Sequence, residues 1–195
     1  SLLRGWQGAA LPAMAVAGGS AISILAGTLA GRGRLCGTSP GARDNGTGLL
    51  AALLVAEARR EDGVGLLFTG AEEFGLVGAR VFIRSELVAD TEVVNLDTLT
   101  DRGALYLVVH NSGGRAYAAT LAPLLNEIAP RVHIRRLPLG MLVDSLPFAR
   151  AGARGLTVSR LDWDDLGRLH TARDSDEELG LATATAVGNA LAQLR

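Results

Sequence analysis

Four carboxylates and one imidazole stand where the apolar runs of this chain give out. Asp44 lies in Ser39-Pro40-Gly41-Ala42-Arg43-Asp44-Asn45-Gly46-Thr47-Gly48, ahead of a long apolar helical pattern. Glu72 and Glu73 follow the run Val64 to Thr69, Asp97 ends Val93-Val94-Asn95-Leu96, and His170 stands in Leu169-His170-Thr171-Ala172-Arg173-Asp174. Oxygen and nitrogen donors at loop positions beyond strand ends are what a divalent cation requires, and zinc takes such ligands. The residue types therefore point to metal-assisted hydrolysis.

Each residue also has a plainer explanation. Asp44 is a suitable cap for the helix that follows, and Glu72 and Glu73 suit the first turn of a helix, where its dipole favours acids. Asp97 is harder to dismiss, because a carboxylate ending a buried strand needs partners. His170 has polar neighbours, so its alternative is a surface histidine. Asp174, four residues on, could orient His170 by accepting its second N–H. His133 belongs to an alternating basic strand and reads as solvated. His110 ends the strand-like run Leu105 to Val109 and could reach the same carboxyl edge as a substitute ligand.

The elements that must position these residues alternate between helical and β-branched patterns. Leu11 to Ala17 reads as a short strand, Ser20 to Leu29 as an apolar helix or a second strand, and Gly31 to Gly41 as a loop. Leu49 to Arg60 reads as a helix, Leu66 to Thr69 as a buried strand and Leu76 to Arg84 as a short helix. Glu92 to Leu96 and Ala104 to Val109 read as strands, Ala116 to Ile128 as a helix stopped by Pro130, and Val132 to Leu137 as a strand. Ser145 to Ala151 reads as a short helix, Gly155 to Ser159 as a strand and Glu177 to Leu194 as a closing helix. This alternation predicts an α/β sheet covered on both faces, with ligands beyond the carboxyl ends of its strands.

Composition narrows the function. With 195 residues, 48% hydrophobic and 20% charged, the chain is long enough for one domain with a sizeable core. A net charge of −1, without a basic run, excludes an electrostatic footprint for nucleic acid. All 19 basic residues are arginine and are scattered, so they mark no site. Cys36 is alone, which excludes an internal disulfide or a multi-cysteine metal knuckle. The apolar stretch Ala9 to Ala30 is broken by Pro12, Gly18, Gly19 and Ser20, so no membrane span is expected. The chain opens Ser1-Leu2-Leu3 without a methionine, as a fragment or a processed form would.

A serine-hydrolase reading fails on chemistry. Gly37-Thr38-Ser39-Pro40-Gly41 matches G-x-S-x-G in form, but the residue after the nucleophile must supply an oxyanion-hole N–H. Pro40 has none. No P-loop and no G-x-G-x-x-G is present, so nothing supports a nucleotide cofactor.

Taken together, the blocks resemble the co-catalytic zinc aminopeptidase family (peptidase family M28), which includes glutaminyl cyclases. Ser39 to Gly48 resembles its proline-glycine-alanine block, Phe68 to Arg80 its double-glutamate block and Asn95-Leu96-Asp97 the block bearing the second metal's aspartate. Asp144 to Gly152, with Pro147-Phe148, resembles the Asp-His-x-Pro-Phe segment, and His170 to Asp174 resembles the final His-Thr-x-x-Asp block. The resemblance implies a three-layer α/β/α sandwich with a central mixed, mostly parallel sheet, a single zinc-peptidase-like catalytic domain over residues 1–195 that could lack N-terminal strands, and a peptide substrate. It implies that Asp44 bridges two metals, Glu72 is the general base, and Glu73, Asp97 and His170 are metal ligands.

Two departures stand out. The family's His-x-Asp strand should precede Asp44, yet no histidine occurs in residues 1–43. The equivalent position falls near Thr28 or Arg32, or else that strand is absent from the chain. Ser145 stands where the family usually has histidine. One complete metal site remains, Asp44, Glu73 and His170, so one tightly bound zinc is expected and a second ion weak or absent. Three readings stay open: a zinc aminopeptidase, a one-zinc enzyme resembling glutaminyl cyclases, and a pseudo-peptidase that keeps the fold for binding.

Overall fold

The computed structural model describes residues 39–60, 64–137 and 142–194. The strand and helix expected between Leu11 and Leu29, and most of the loop at 31–41, lie outside them. The described residues belong to one unit, Ser39–Arg195.

Helix α1 covers Thr47–Ala58 and α2 Val77–Ser85; strands β1 and β2 cover Glu92–Leu99 and Ala104–Val109. Helix α3 covers Ser112–Leu125, β3 Val132–Arg135, α4 Ser145–Arg150, β4 Arg154–Leu161, α5 Trp163–Leu166 and α6 Ala182–Leu191. The strands form a four-stranded sheet in the order β1-β4-β2-β3. The β1–β4 and β2–β3 pairs are parallel, and β2–β4 is antiparallel. Helices α1, α3 and α6 cover one face, and α2 and α4 the other, so the expected α/β fold with a mixed, mostly parallel sheet is present.

Alternation along the strands produces the two covers. Leu105, Leu107 and Val109 of β2 and Leu156 and Val158 of β4 enter the larger core, with Ala51, Leu121 and Val187 from the helices. Val93 of β1 turns to the other face, where a smaller cluster joins Ala79, Val88, Phe148 and Ala153. Burial of these side chains is the principal favourable term for the fold. No described helix is long and apolar enough to cross a membrane.

Several element boundaries differ from expectation. The run Leu66 to Thr69 is not a buried strand: it has no regular secondary structure and pairs with no described strand, and Leu66, Leu67 and Phe68 are 42%, 42% and 54% exposed. Apolar β-forming residues make a strand only where a neighbour takes up their amides and carbonyls. Strand β1 continues through Asp97 to Leu99, with a break in register between Leu96 and Leu99. Helix α3 starts earlier than expected because the Asn111 side chain accepts the Gly114 amide at 2.6 Å, and it tolerates Pro123. The closing helix starts only at Ala182, because Asp101 accepts the amides of Ala182 and Thr183 at 3.3 and 2.6 Å. A carboxylate at that point satisfies the orphan donors of a first turn.

The junction of α1 with β1 is tight. The Asn45 amide donates to the Leu96 carbonyl at 2.7 Å, and its oxygen accepts the amides of Gly48 and Thr98 at 3.1 and 3.2 Å. A Cβ on Gly48 would lie 2.2 Å from that oxygen and 2.4 Å from the Leu96 carbonyl oxygen. Gly48→Ala is therefore expected to lower unfolding free energy by about 1–3 kcal/mol, the range for overpacking a close contact. Urea unfolding measures this, and an unchanged midpoint would contradict so close an approach.

Candidate metal centre

Asp44 lies in a wide helical turn, Ala42–Gly46, whose φ/ψ leave the helical region at Asp44 and Asn45. Helix α1 takes no side-chain cap, so Asp44 does not serve the capping role that its position suggested. Its carboxylate instead faces His170: Asp44 Oδ2 is 2.9 Å from His170 Nε2. Glu73 Oε1 approaches the same nitrogen at 2.7 Å. Ligand atoms of Asp44, Glu73 and His170 lie within 4.8 Å of one another, and among the described residues they form a group able to hold a metal ion. Donors on a tetrahedral zinc at ~2.0–2.1 Å stand roughly 3.3 Å apart. Two carboxylates and an imidazole gathered within 4.8 Å match such an ion in number and kind.

His170 is reached from an unusual backbone. Its φ is +57°, and Thr98, next to Asp97, has φ +55°. For residues with a Cβ this conformation costs about 1–2 kcal/mol, so the surroundings must impose it. The His170 side chain is 62% exposed.

Glu72 and Asp97 belong to the same acidic neighbourhood without joining the three-residue group. Burial pushes the Glu72 carboxyl up to about 8, reinforced by the charges of Glu73, Asp97, Asp144 and Asp44. Burial also pushes Asp97 up to about 6; Asp44 adds to this, and the hydrogen bond from Thr98 opposes it. Asp144 shifts upward through burial, opposed by the hydroxyl of Thr69, which donates to its Oδ2. Asp144 Oδ1 has no hydrogen-bond partner among the described residues. Carboxylates crowded around one spot leave a deficit of positive charge that a divalent cation would offset.

Asp174 does not carry out the task expected of it. Its carboxylate is buried and accepts the amides of Arg43 at 2.7 Å and Asp44 at 3.2 Å. It therefore orients the Asp44 arm, and none of its described hydrogen bonds reaches His170. His110 does not share the carboxyl edge of β1 either. Strand β2 runs antiparallel to β4, and β4 parallel to β1, so the carboxyl end of β2 lies at the opposite edge. His110 Nε2 nevertheless reaches inward to Ser145 Oγ at 2.9 Å, and Ser145 Oγ meets Thr157 Oγ1, opposite Asn95 of β1, at 2.7 Å. Burial, with Arg150, lowers the His110 pKa. An imidazole thus touches Ser145, the position where one was expected, but it comes from the end of β2.

Two supporting residues were not expected from the sequence. Asn45 joins the Asp44 turn to β1, and Arg43 is 1% exposed with its guanidinium among main-chain carbonyls. In a chain rich in arginine no local signal separates Arg43 from its solvated counterparts.

Comparison with known proteins identifies the family. The family model described as Peptidase family M28 matches residues 30–195. The chain belongs to peptidase family M28. Among solved structures, an aminopeptidase from Aneurinibacillus sp. strain AM-1 is similar, with 18% identity over 81% of this chain and 40% of that one, at a TM-score of 0.62. The Legionella pneumophila LapA aminopeptidase is similar at 20% identity over 78% of this chain and 44% of that one, with a TM-score of 0.64. At such identities the likeness concerns the fold. This M28 chain spans about two-fifths of the length of those enzymes. No curated protein compared with it matches.

The raised carboxyl values carry a prediction. Both groups bind a proton more tightly in the folded chain than in the unfolded one, so their contribution to stability is full below the unfolded carboxyl range and is lost as pH rises through about 6 and about 8. The metal-free protein should unfold at lower urea at about pH 9 than at about pH 7, where only Glu72 of this pair is still titrating. Glu72→Gln should flatten that slope; a midpoint that climbs with pH would contradict the burial of Glu72.

Proposed function

We propose that this chain is the catalytic part of a zinc-dependent aminopeptidase that hydrolyses N-terminal residues from peptides. The observation that carries the reading is the approach of Asp44 and Glu73, from two distant segments, to the same nitrogen of His170. Membership of peptidase family M28 supports a peptide substrate, and the aminopeptidases of similar fold favour removal of the terminal residue.

Asp44, Glu73 and His170 would hold one zinc ion and leave a position open. Bound there, zinc would act as a Lewis acid and lower the pKa of its water to about 7. Glu72 is adjacent in sequence to Glu73 and partly buried, and its raised pKa suits a base working near neutrality. It would accept the proton of the attacking water and return it to the leaving amine, so that one water is added across the peptide bond. Asp97 and Asp44 would bind a second ion weakly, since two carboxylates without an imidazole are poor zinc ligands.

One observation favours a second reading. Among the described residues the group contains one aspartate, one glutamate and one histidine, and Asp97 is not in it. That set suits a one-zinc enzyme resembling glutaminyl cyclases, which would close an N-terminal glutamine rather than remove a residue.

Zinc titration and turnover of aminoacyl anilides test the reading. The wild-type chain should bind about one zinc tightly, and Glu73→Ala or His170→Ala should abolish it. Glu72→Gln should keep the metal while lowering kcat by about 10²–10⁴-fold, the range for losing a general base. Cyclisation of N-terminal glutamine peptides without anilide hydrolysis would decide for the second reading, and a chain that binds no zinc would leave only a scaffold.

A further inference from the structure

We propose that Arg43 is a positioning residue for the metal centre: its guanidinium holds both ends of the loop that presents His170 and sets that loop against Asp44. The inference rests on the zinc reading of the site.

The guanidinium is a rigid fork of donors, and here nearly every donor faces the same loop. Nη1 donates to the carbonyls of Ser175 at 2.6 Å and Arg173 at 3.4 Å, and Nη2 donates to that of Glu177 at 3.0 Å. Nε lies 3.4 Å from Asp165 Oδ1, an ion pair in which Nε makes no hydrogen bond among the described residues. Residue 165 precedes His170 and residues 173–177 follow it, so one side chain grips the loop before and after the ligand. The Arg43 amide adds the 2.7 Å bond to Asp174, and the Ala42 amide adds one of 3.1 Å to the Asp174 carbonyl.

The other side of the clamp is equally fixed. The Arg43 carbonyl accepts the Thr47 hydroxyl at 2.8 Å, and that hydroxyl accepts the Leu99 amide at 2.8 Å. Asp165 is itself anchored, by the Thr100 hydroxyl at 2.7 Å and Arg102 at 3.0 Å. Hydrogen bonds therefore run from the end of β1 through Thr47 and Arg43 to residues 173–177 after His170, and an ion pair links Arg43 to Asp165 before it. Asp44 is the next residue after Arg43, so any shift of the guanidinium moves both ligand arms.

The His170 ring is largely in solvent, and its backbone is held at a positive φ. Its described side-chain contacts are those of Nε2 with Asp44 and Glu73, the two residues it must meet. Its position is inherited from the loop ends, and Arg43 is where both ends meet. A lysine in its place has one ammonium and cannot span three carbonyls and a carboxylate.

The test uses the full chain as wild type, Arg43→Lys, Arg43→Ala and Asp165→Asn, with Glu73→Ala as the metal-free control. Zinc affinity is measured by competition with a chromophoric chelator, the geometry of the centre by the visible spectrum of the cobalt-loaded protein, and folding by circular dichroism. Arg43→Lys should weaken zinc by about 10–100-fold, the usual effect of removing a group that supports a ligand, and should alter the cobalt spectrum while remaining folded. Methylguanidinium should restore affinity and spectrum in Arg43→Ala. If the Arg43 variants do not fold, Asp165→Asn, which keeps the arginine and loosens one loop end, should still weaken zinc and shift the spectrum. Variants that fold and match the wild type in affinity and spectrum would overturn the inference and leave Arg43 a stabilising residue only. A wild-type chain that binds neither zinc nor cobalt would overturn the metal reading itself, and the inference with it.

Discussion

The constraint on which the candidate centre depends is the capture of two successive main-chain amides, those of Arg43 and Asp44, by the buried carboxylate of Asp174. The segments it joins are some 130 residues apart in sequence. A carboxylate accepting backbone amides in a buried place is a strong, directional contact, and it fixes the turn before α1 in a shape that no helix would adopt unaided. Asn45 and Thr47 then bind the same turn to β1. The turn, the end of β1 and the loop of His170 thus form one unit, and the two ligand arms of Asp44 and His170 cannot drift independently.

Around that unit the charges conflict, as an active centre often requires. Asp44, Glu73 and Asp144 raise the proton affinity of Glu72 and Asp97 beyond what burial does alone. A structural role would be better served by neutral or paired side chains. The arrangement is therefore costly unless a cation resolves it, which agrees with the donor set at Asp44, Glu73 and His170. The arginines nearest in the bonding network, Arg43 and Arg102, are directed to Asp165 and to main-chain carbonyls. They stabilise the scaffold, and none of their described bonds goes to Asp44, Glu72, Glu73 or Asp97.

Much of this was legible from residue order alone. Asp44, Glu73 and His170 lie in short blocks whose spacing carries the family resemblance, and the structure brings those three together. The α/β alternation was legible too, because Leu105-Leu107-Val109 and Leu156-Val158 repeat with a strand's period. Other readings failed because they concerned partners in space. Leu66 to Phe68 has strand composition but no described strand beside it. His110 ends a strand as Asp97 nearly does, yet the direction of β2 sends it to the opposite edge. Asp174 reads from the sequence as a support for His170, but its bonds go to the arm of Asp44.

The sequence by itself determined the family and pointed to a class of chemistry, because both reside in residue types at short spacings: an acid in a glycine-rich turn, a pair of glutamates, an imidazole four residues before an acid. Only the tertiary structure decided which of these residues meet and what holds them. Strand direction is a property of the assembled sheet, and the burial of Arg43 depends on carbonyls of residues 173–177 that local patterning cannot supply. Contacts across more than a hundred residues are selected by packing and by the need to satisfy every buried polar group, and neither is written in any single stretch of the chain.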